Sequence, residues 1–170
     1  MKELEDIKII ISKSILDELV NCVKSAYPNE ACGLIFGDKK EIQNPNKKED
    51  YFYHFIGKIF HCFESDKKSP VAFLMENVAM LNKIYQEIYK KHKLSLISIF
   101  HSHPSGNFPS GVDAKNMKRL DEFNIEYRGK KLNNPFKNVI WVIMDASNKK
   151  MNSFIYINSE IVQTDIKIQK

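Results

Sequence analysis

No stretch of this 170-residue chain is apolar for long enough to cross a bilayer, since a spanning helix needs about 20 apolar residues in a row. A secretory leader is not expected either. The start, "MKELEDIKIIISKSILDEL", carries acids where a leader has a basic start and an unbroken apolar core. Cysteine is scarce: Cys22, Cys32 and Cys62 are odd in number and widely spaced, and no two form C-x-x-C. That argues against a zinc ribbon or a redox dithiol. H-E-x-x-H is absent, which excludes the common helical zinc proteases. H-x-E and P-C-x-x-C are both absent, which excludes the zinc nucleobase deaminases. There is no internal repeat, low-complexity tract or linker. The expectation from these absences is a soluble, cytoplasmic protein without a membrane partner.

What remains is an ordinary globular composition, 43% hydrophobic and 11% aromatic. The length fits one domain spanning 1–170. The net charge of +5 lies largely in "DKKEIQNPNKKED", "YKKHK" and "RGKK". These read first as solvated turns and helix ends. A nucleic-acid surface is the weaker reading, because the lysines form no single stripe with interleaved aromatics.

The hydrophobic pattern changes period several times. "IKIII" (7–11) reads as a strand. A helix capped by Ser12 or Ser14 then runs to about Tyr27, with Ile15, Leu16, Leu19, Val20 and Val23 on one face. "ACGLIFG" (31–37) is a compact buried strand, 39–48 a loop or ragged hairpin, and 51–63 an aromatic, β-branched strand. "KKSPVAFLM" turns into the core. A helix follows from about Glu76 to His92, with Val78, Leu81, Tyr85 and Ile88 on one face. "LSLISIF" (94–100) is apolar on both faces, as a central strand is. Another helix starts at Ser110 and lasts to about Phe123. Residues 124–137 are polar and irregular, 138–145 and 151–157 are strands, and 160–168 adds a last edge strand. The order predicts an α/β fold: a central mixed sheet sandwiched by two to three helices.

Chemistry concentrates in "SIFHSHPSGNFPSGVD" (98–113). Alternation along a strand turns His101 and His103 to one side and Ser102 to the other. Pro104 stops the ladder and Gly106 allows a sharp turn. Ser110 is a helix N-cap and Asp113 the third helical residue, as in a capping box. Its carboxylate thereby returns toward the strand end. Two imidazoles and a carboxylate make the three-ligand set of a catalytic zinc, with water in the fourth position. His54, His61 and His92 lie apart from this group.

With those residues in view, the sequence resembles the JAMM, or MPN-plus, zinc metalloproteases of the JAB1/MPN fold, which shares a related core with cytidine deaminases. "PNEACGLIFG" (28–37) matches the family's upstream glutamate before a small residue and a Cys-Gly-Leu strand, and "HSHP…PSGVD" matches its metal loop. "SPVAFLM" before a helix looks like the family's middle section. The resemblance covers roughly 7–157. It implies one catalytic Zn2+ on His101, His103 and Asp113, with Glu30 as general base. It implies Ser110 as an oxyanion-stabilising donor. It further implies cleavage after the C-terminal diglycine of ubiquitin or a ubiquitin-like protein, the extended tail held by strand addition. One departure stands out: "PSGNFP" between His103 and Ser110 is six residues, one fewer than the family's usual loop.

Other readings stay open. One is processing of a sulfur-carrier precursor. Others are a metal-free scaffold of the same fold, or a RadC-like DNA-associated protein. Scaffolds lose the ligands, which are all present here. The RadC type carries an N-terminal helical segment, for which only about a dozen residues precede the first predicted helix. Without long C-terminal helices, a standalone monomer or small homo-oligomer is expected. Residues 124–137, polar and containing Gly129 and Pro135, are expected to form a flap beside the site.

Overall fold

The structure is a computed structural model and describes residues 3–63 and 78–170. The first strand, β1 (Glu3–Ser12), leads directly into helix α1 (Lys13–Ala26). Ser12 is the N-cap, its hydroxyl accepting from the Ile15 N–H at 3.2 Å. Strand β2 (Cys32–Gln43) and strand β3 (Tyr51–Phe63) form a long antiparallel hairpin. Helix α2 (Val78–His92), strand β4 (Ser95–His103) and helix α3 (Gly111–Asp121) follow. The short strands β5 (Ile125–Tyr127) and β6 (Lys130–Leu132) precede β7 (Ile140–Asp145), β8 (Met151–Ile157) and β9 (Glu160–Gln169).

The mixed sheet runs β1-β3-β2-β4-β7-β8-β9 and closes on itself, because β9 pairs in parallel with β1. The expected last edge strand is therefore the closing strand. Val162 and Thr164 are buried, and pairing satisfies backbone groups that an edge would leave open. Two cores result. One gathers Ile9, Ile35, Phe100, Ile140 and Val142 around Ile15, Leu19 and Val23 of α1. The other joins Leu34, Phe36, Ile99, Trp141 and Phe154 to Leu81 of α2 and Met117 and Leu120 of α3. Helices thus cover both faces of a mixed sheet, as the sequence predicts. Among the described residues no helix is long and apolar enough to cross a membrane.

Two stretches are more regular than the sequence reading. β2 continues to Gln43, so that 39–48 takes the hairpin and not the loop alternative, because β3 pairs with it as far as Gln43↔Tyr51. The turn is closed by Asn44 N–H to the Asp50 carbonyl at 2.8 Å. Residues 124–137 are not irregular throughout. Tyr127 and Lys130 are joined by Arg128 (φ 51°) and Gly129 (φ 72°), and two successive left-handed residues are what a tight hairpin requires. The expectations for "KKSPVAFLM" and for the helix start at Glu76 lie outside the described residues.

Cysteine pairing is the largest omission of the sequence reading. Cys22 of α1 and Cys62 of β3, forty residues apart, form a disulfide, leaving Cys32 free and buried. The bond ties α1 to the strand beside β2. A loop of that length is worth about 4 kcal/mol in the chain-entropy account. The C22S/C62S protein is therefore expected to unfold at lower guanidinium concentration, with stability lower by about 2–4 kcal/mol. Reductant should shift the midpoint of the native protein in the same direction and leave the double variant unmoved.

Candidate metal centre

The site is built where β2 begins and β4 ends. Antiparallel pairing sets Cys32 opposite His101. Just beyond that pair, Ser102 holds Ala31 twice: its N–H donates to the Ala31 carbonyl at 3.0 Å, and its hydroxyl accepts from the Ala31 N–H at 2.8 Å. Ser102 thus fastens Glu30, the preceding residue, to the strand that carries both imidazoles. Its side chain is fully buried and faces away from theirs, as alternation requires.

β4 ends at His103, immediately before Pro104. The loop then turns through Gly106 (φ 87°), a conformation that favours glycine. Asp145, the last residue of β7, holds this loop. Its carboxylate accepts from the Gly106 N–H at 2.8 Å, and from the Ser147 N–H at 2.8 Å and hydroxyl at 2.5 Å. The Ser147 hydroxyl and then the Gly106 N–H hold its carboxyl down to about 2. Sequence reasoning did not single out Ser102 or Asp145. Ser102 stands inside the motif but points away from the site, and Asp145 reaches the loop only because β7 pairs in parallel with β4, setting Asp145 beside His103.

The capping box at the start of α3 forms as predicted. The Ser110 hydroxyl oxygen accepts from the Asp113 N–H at 3.1 Å, and the Ser110 N–H donates to Asp113 Oδ2 at 2.6 Å. The six-residue loop therefore closes with the helix start intact. Asp113 then meets both imidazoles: Oδ1 lies 3.2 Å from His101 Nε2, and Oδ2 lies 3.1 Å from His103 Nε2. The two Nε2 atoms are 3.2 Å apart. Among the described residues this is the one group of three such donors close enough to share an ion; His54, His61 and His92 do not join it.

This triangle fits a metal. An ion with tetrahedral bonds of about 2.0–2.1 Å separates its ligands by about 3.3 Å. His101 is wholly buried, and its Nδ1 has no hydrogen-bond partner among the described residues. Nε2 is the nitrogen through which this ring is held. The electrostatics agree. Burial pushes the Asp113 carboxyl up, but hydrogen bonds from His101, His103 and Ser110 outweigh it and hold it well below the usual carboxylate range. The hydrogen bond to Asp113 raises His103 despite burial. The pocket favours positive charge.

An open cleft of ≈ 320 Å³ is lined by Glu30, His103, Pro104, Ser105, Ser110 and Asp113. Four of the five sequence-predicted residues thus line one cleft, and His101 is buried behind it, its ring against Trp141. Glu30 is half-buried, and burial raises its carboxyl against the opposing pull of His103 and His101. Cys32 is fully buried and its thiol is pushed far up by that burial, so it is a packing residue and not a nucleophile. Among the described residues none of 124–137 lines the cleft; along the chain α3, about 16 Å long at 1.5 Å per residue, lies between Asp113 and the segment expected to form the flap.

Two substitutions separate the supports from the ligands. S102A leaves the buried Ala31 N–H without its side-chain acceptor and is expected to cost about 1–3 kcal/mol in denaturant unfolding, with Zn2+ binding stoichiometry unchanged. D145A frees the 104–110 loop. It is expected to weaken Zn2+ binding by about 10–100-fold in a competition titration, while far-UV circular dichroism stays native.

A family model described as prokaryotic homologs of the JAB domain matches residues 12–156. No curated protein matched the chain. Among solved structures, protein DSY2949 from Desulfitobacterium hafniense has the same fold at 19% identity and a TM-score of 0.64, covering 95% of this chain and 93% of that one. A JAB1/MPN domain protein from Archaeoglobus fulgidus aligns at 14% identity and a TM-score of 0.47, over 95% and 97% of the two chains. A structure described as a metalloprotease-like zinc site in the proteasome and signalosome aligns at 13% and 0.47, over 95% and 98%. With the family model spanning most of its length, the chain belongs to the prokaryotic JAB-domain family, and its fold is that of JAB/MPN proteins.

Proposed function

We propose that this protein is a zinc-dependent isopeptidase that cleaves after the C-terminal diglycine of ubiquitin or a ubiquitin-like modifier. The observation that carries the reading is the His101–His103–Asp113 triangle, with donor atoms 3.1–3.2 Å apart, sharing a cleft with a half-buried carboxylate that is not part of it. A hydrolytic metal site needs such a separate base, and a metal-free scaffold has no use for either part.

His101, His103 and Asp113 would hold the ion. Bound zinc supplies a Lewis acid that lowers the pKa of water and polarises a carbonyl. Glu30 accepts the proton of the attacking water and delivers it to the leaving amine. Partial burial suits it to both tasks, since a raised pKa brings the acid and base forms closer to balance near neutrality. The Ser110 hydroxyl oxygen accepts in the helix cap, and the group lines the cleft. Its proton can turn from the Asp113 carboxylate to the charge that develops on the scissile carbonyl oxygen. Phe108 and Val112 are exposed at 53% and 57% in and just after the metal loop, apolar surface suited to a flexible modifier tail. Cleavage of a ubiquitin-like precursor would use the same groups on a peptide bond. The protein acts as a monomer or small homo-oligomer.

The test compares wild type, E30Q and S110A for zinc content and for cleavage of a ubiquitin-like conjugate. Wild type and E30Q should each hold one zinc per chain. E30Q should lose about 10²–10⁴-fold in kcat/KM. S110A should lose about 10²–10³-fold, together with about 1 kcal/mol of stability from the lost cap. Full activity in E30Q, or wild-type protein without zinc, would overturn the reading.

A further inference from the structure

A second hollow lies away from the metal centre. It holds ≈ 610 Å³ and is bordered by the far halves of β2 and β3, the start of β1, the end of β8 and the residues before β7. Strand register fixes its location. His103, Asp145 and Cys32 stand at one end of the barrel, whereas Lys39, Phe55 and Ile155 stand toward the other. Eight residues of β2 separate Cys32 from Lys40, which is roughly 25 Å at about 3.3 Å per residue. The mouth of a barrel is a common place for a small-molecule pocket, and the volume is in the usual range.

The lining has two parts. Its apolar floor is the exposed Tyr53 ring and the partly exposed Ile157, lying over Ile7, Phe55 and Ile155, which are buried in the core around α1. Its rim is cationic: Lys39, Lys40 and Lys137 stand against the single acid Glu41. Among the described residues none of these three ammonium groups is ion-paired with a carboxylate. Lys39 instead lies over the Phe55 ring, 5.3 Å from its centroid. Burial lowers the Lys39 ammonium, and burial together with Lys8 and Lys167 lowers His54 on the same wall. The Lys39 shift marks a partly dry surface, and the His54 shift adds the positive charge of Lys8 and Lys167 beside it. Water satisfies the rim but not the floor, and a hydrocarbon satisfies the floor but not the rim.

We infer that this barrel mouth is a binding site for a small amphiphilic anion, an apolar body carrying a carboxylate or phosphate head. The body lies on Tyr53 and Ile157, above Ile7, Phe55 and Ile155. The head sits between Lys39 and Lys137, where it replaces the ring as the partner of the Lys39 ammonium. The site is independent of the metal centre and of the activity proposed there.

The test is calorimetric titration of the full-length protein at low salt with 1-naphthyl phosphate, 1-naphthoate, inorganic phosphate and 1-naphthalenemethanol. At least one of the two aromatic anions should bind once per chain. Inorganic phosphate and the neutral alcohol should each bind at least tenfold more weakly. The K39Q/K137Q variant changes only surface side chains and should keep its circular dichroism while losing at least tenfold in affinity for the aromatic anion. Excess chelator, which empties the metal centre, should leave the affinity unchanged. Four outcomes overturn the inference: no saturable binding of either anion, equal binding of the neutral alcohol, full affinity in K39Q/K137Q, or loss of binding with chelator.

Discussion

The antiparallel ladder between β2 and β4 is the constraint on which the site depends. It aligns Cys32 with His101 and lets Ser102 take both backbone groups of Ala31. A carboxylate seventy residues upstream of the imidazoles is thereby positioned by main-chain hydrogen bonds and not by its own flexible side chain. A slip of one residue in this pairing would turn the imidazoles to the opposite face. It would also remove Ala31 from Ser102. The buried apolar partners on both faces, Leu34 and Ile99 on one and Ile35 and Phe100 on the other, resist such a slip.

Much of this was legible in the sequence because the relevant signals are local. Alternation on β4 placed His101 and His103 together. Pro104 marked the end of that strand, and the Ser110-to-Asp113 spacing marked a capping box. Each is a short-range rule of backbone geometry. What stayed hidden depends on non-local pairing. Asp145 reaches Gly106 across thirty-nine residues, and Cys22 reaches Cys62 across forty. Neither separation carries a periodic signal. The closing strand β9 was read as an edge because its neighbour β1 lies at the other end of the chain. The hairpin at 125–132 was missed because its strands are three residues each, too short for alternation to register.

The barrel ends differ in chemistry because they differ in what closes them. At one end, side chains and loop carboxylates converge on a space fit for a cation. At the other, the core runs out between lysines. One mixed sheet holds both, so neither end can be reshaped far without disturbing strands that serve the other.

The capping box has a consequence for how the chain tolerates variation. Ser110 and Asp113 are bonded to each other twice over one helical turn, so they move as a single rigid body. Shortening the preceding loop re-routes the backbone between two anchored points, the end of β4 and this turn. It does not alter the angle between the serine hydroxyl and the ligating carboxylate. Loop length can therefore vary without changing the geometry within this pair, provided Asp145 still holds the loop, and the four residues after it behave as one part.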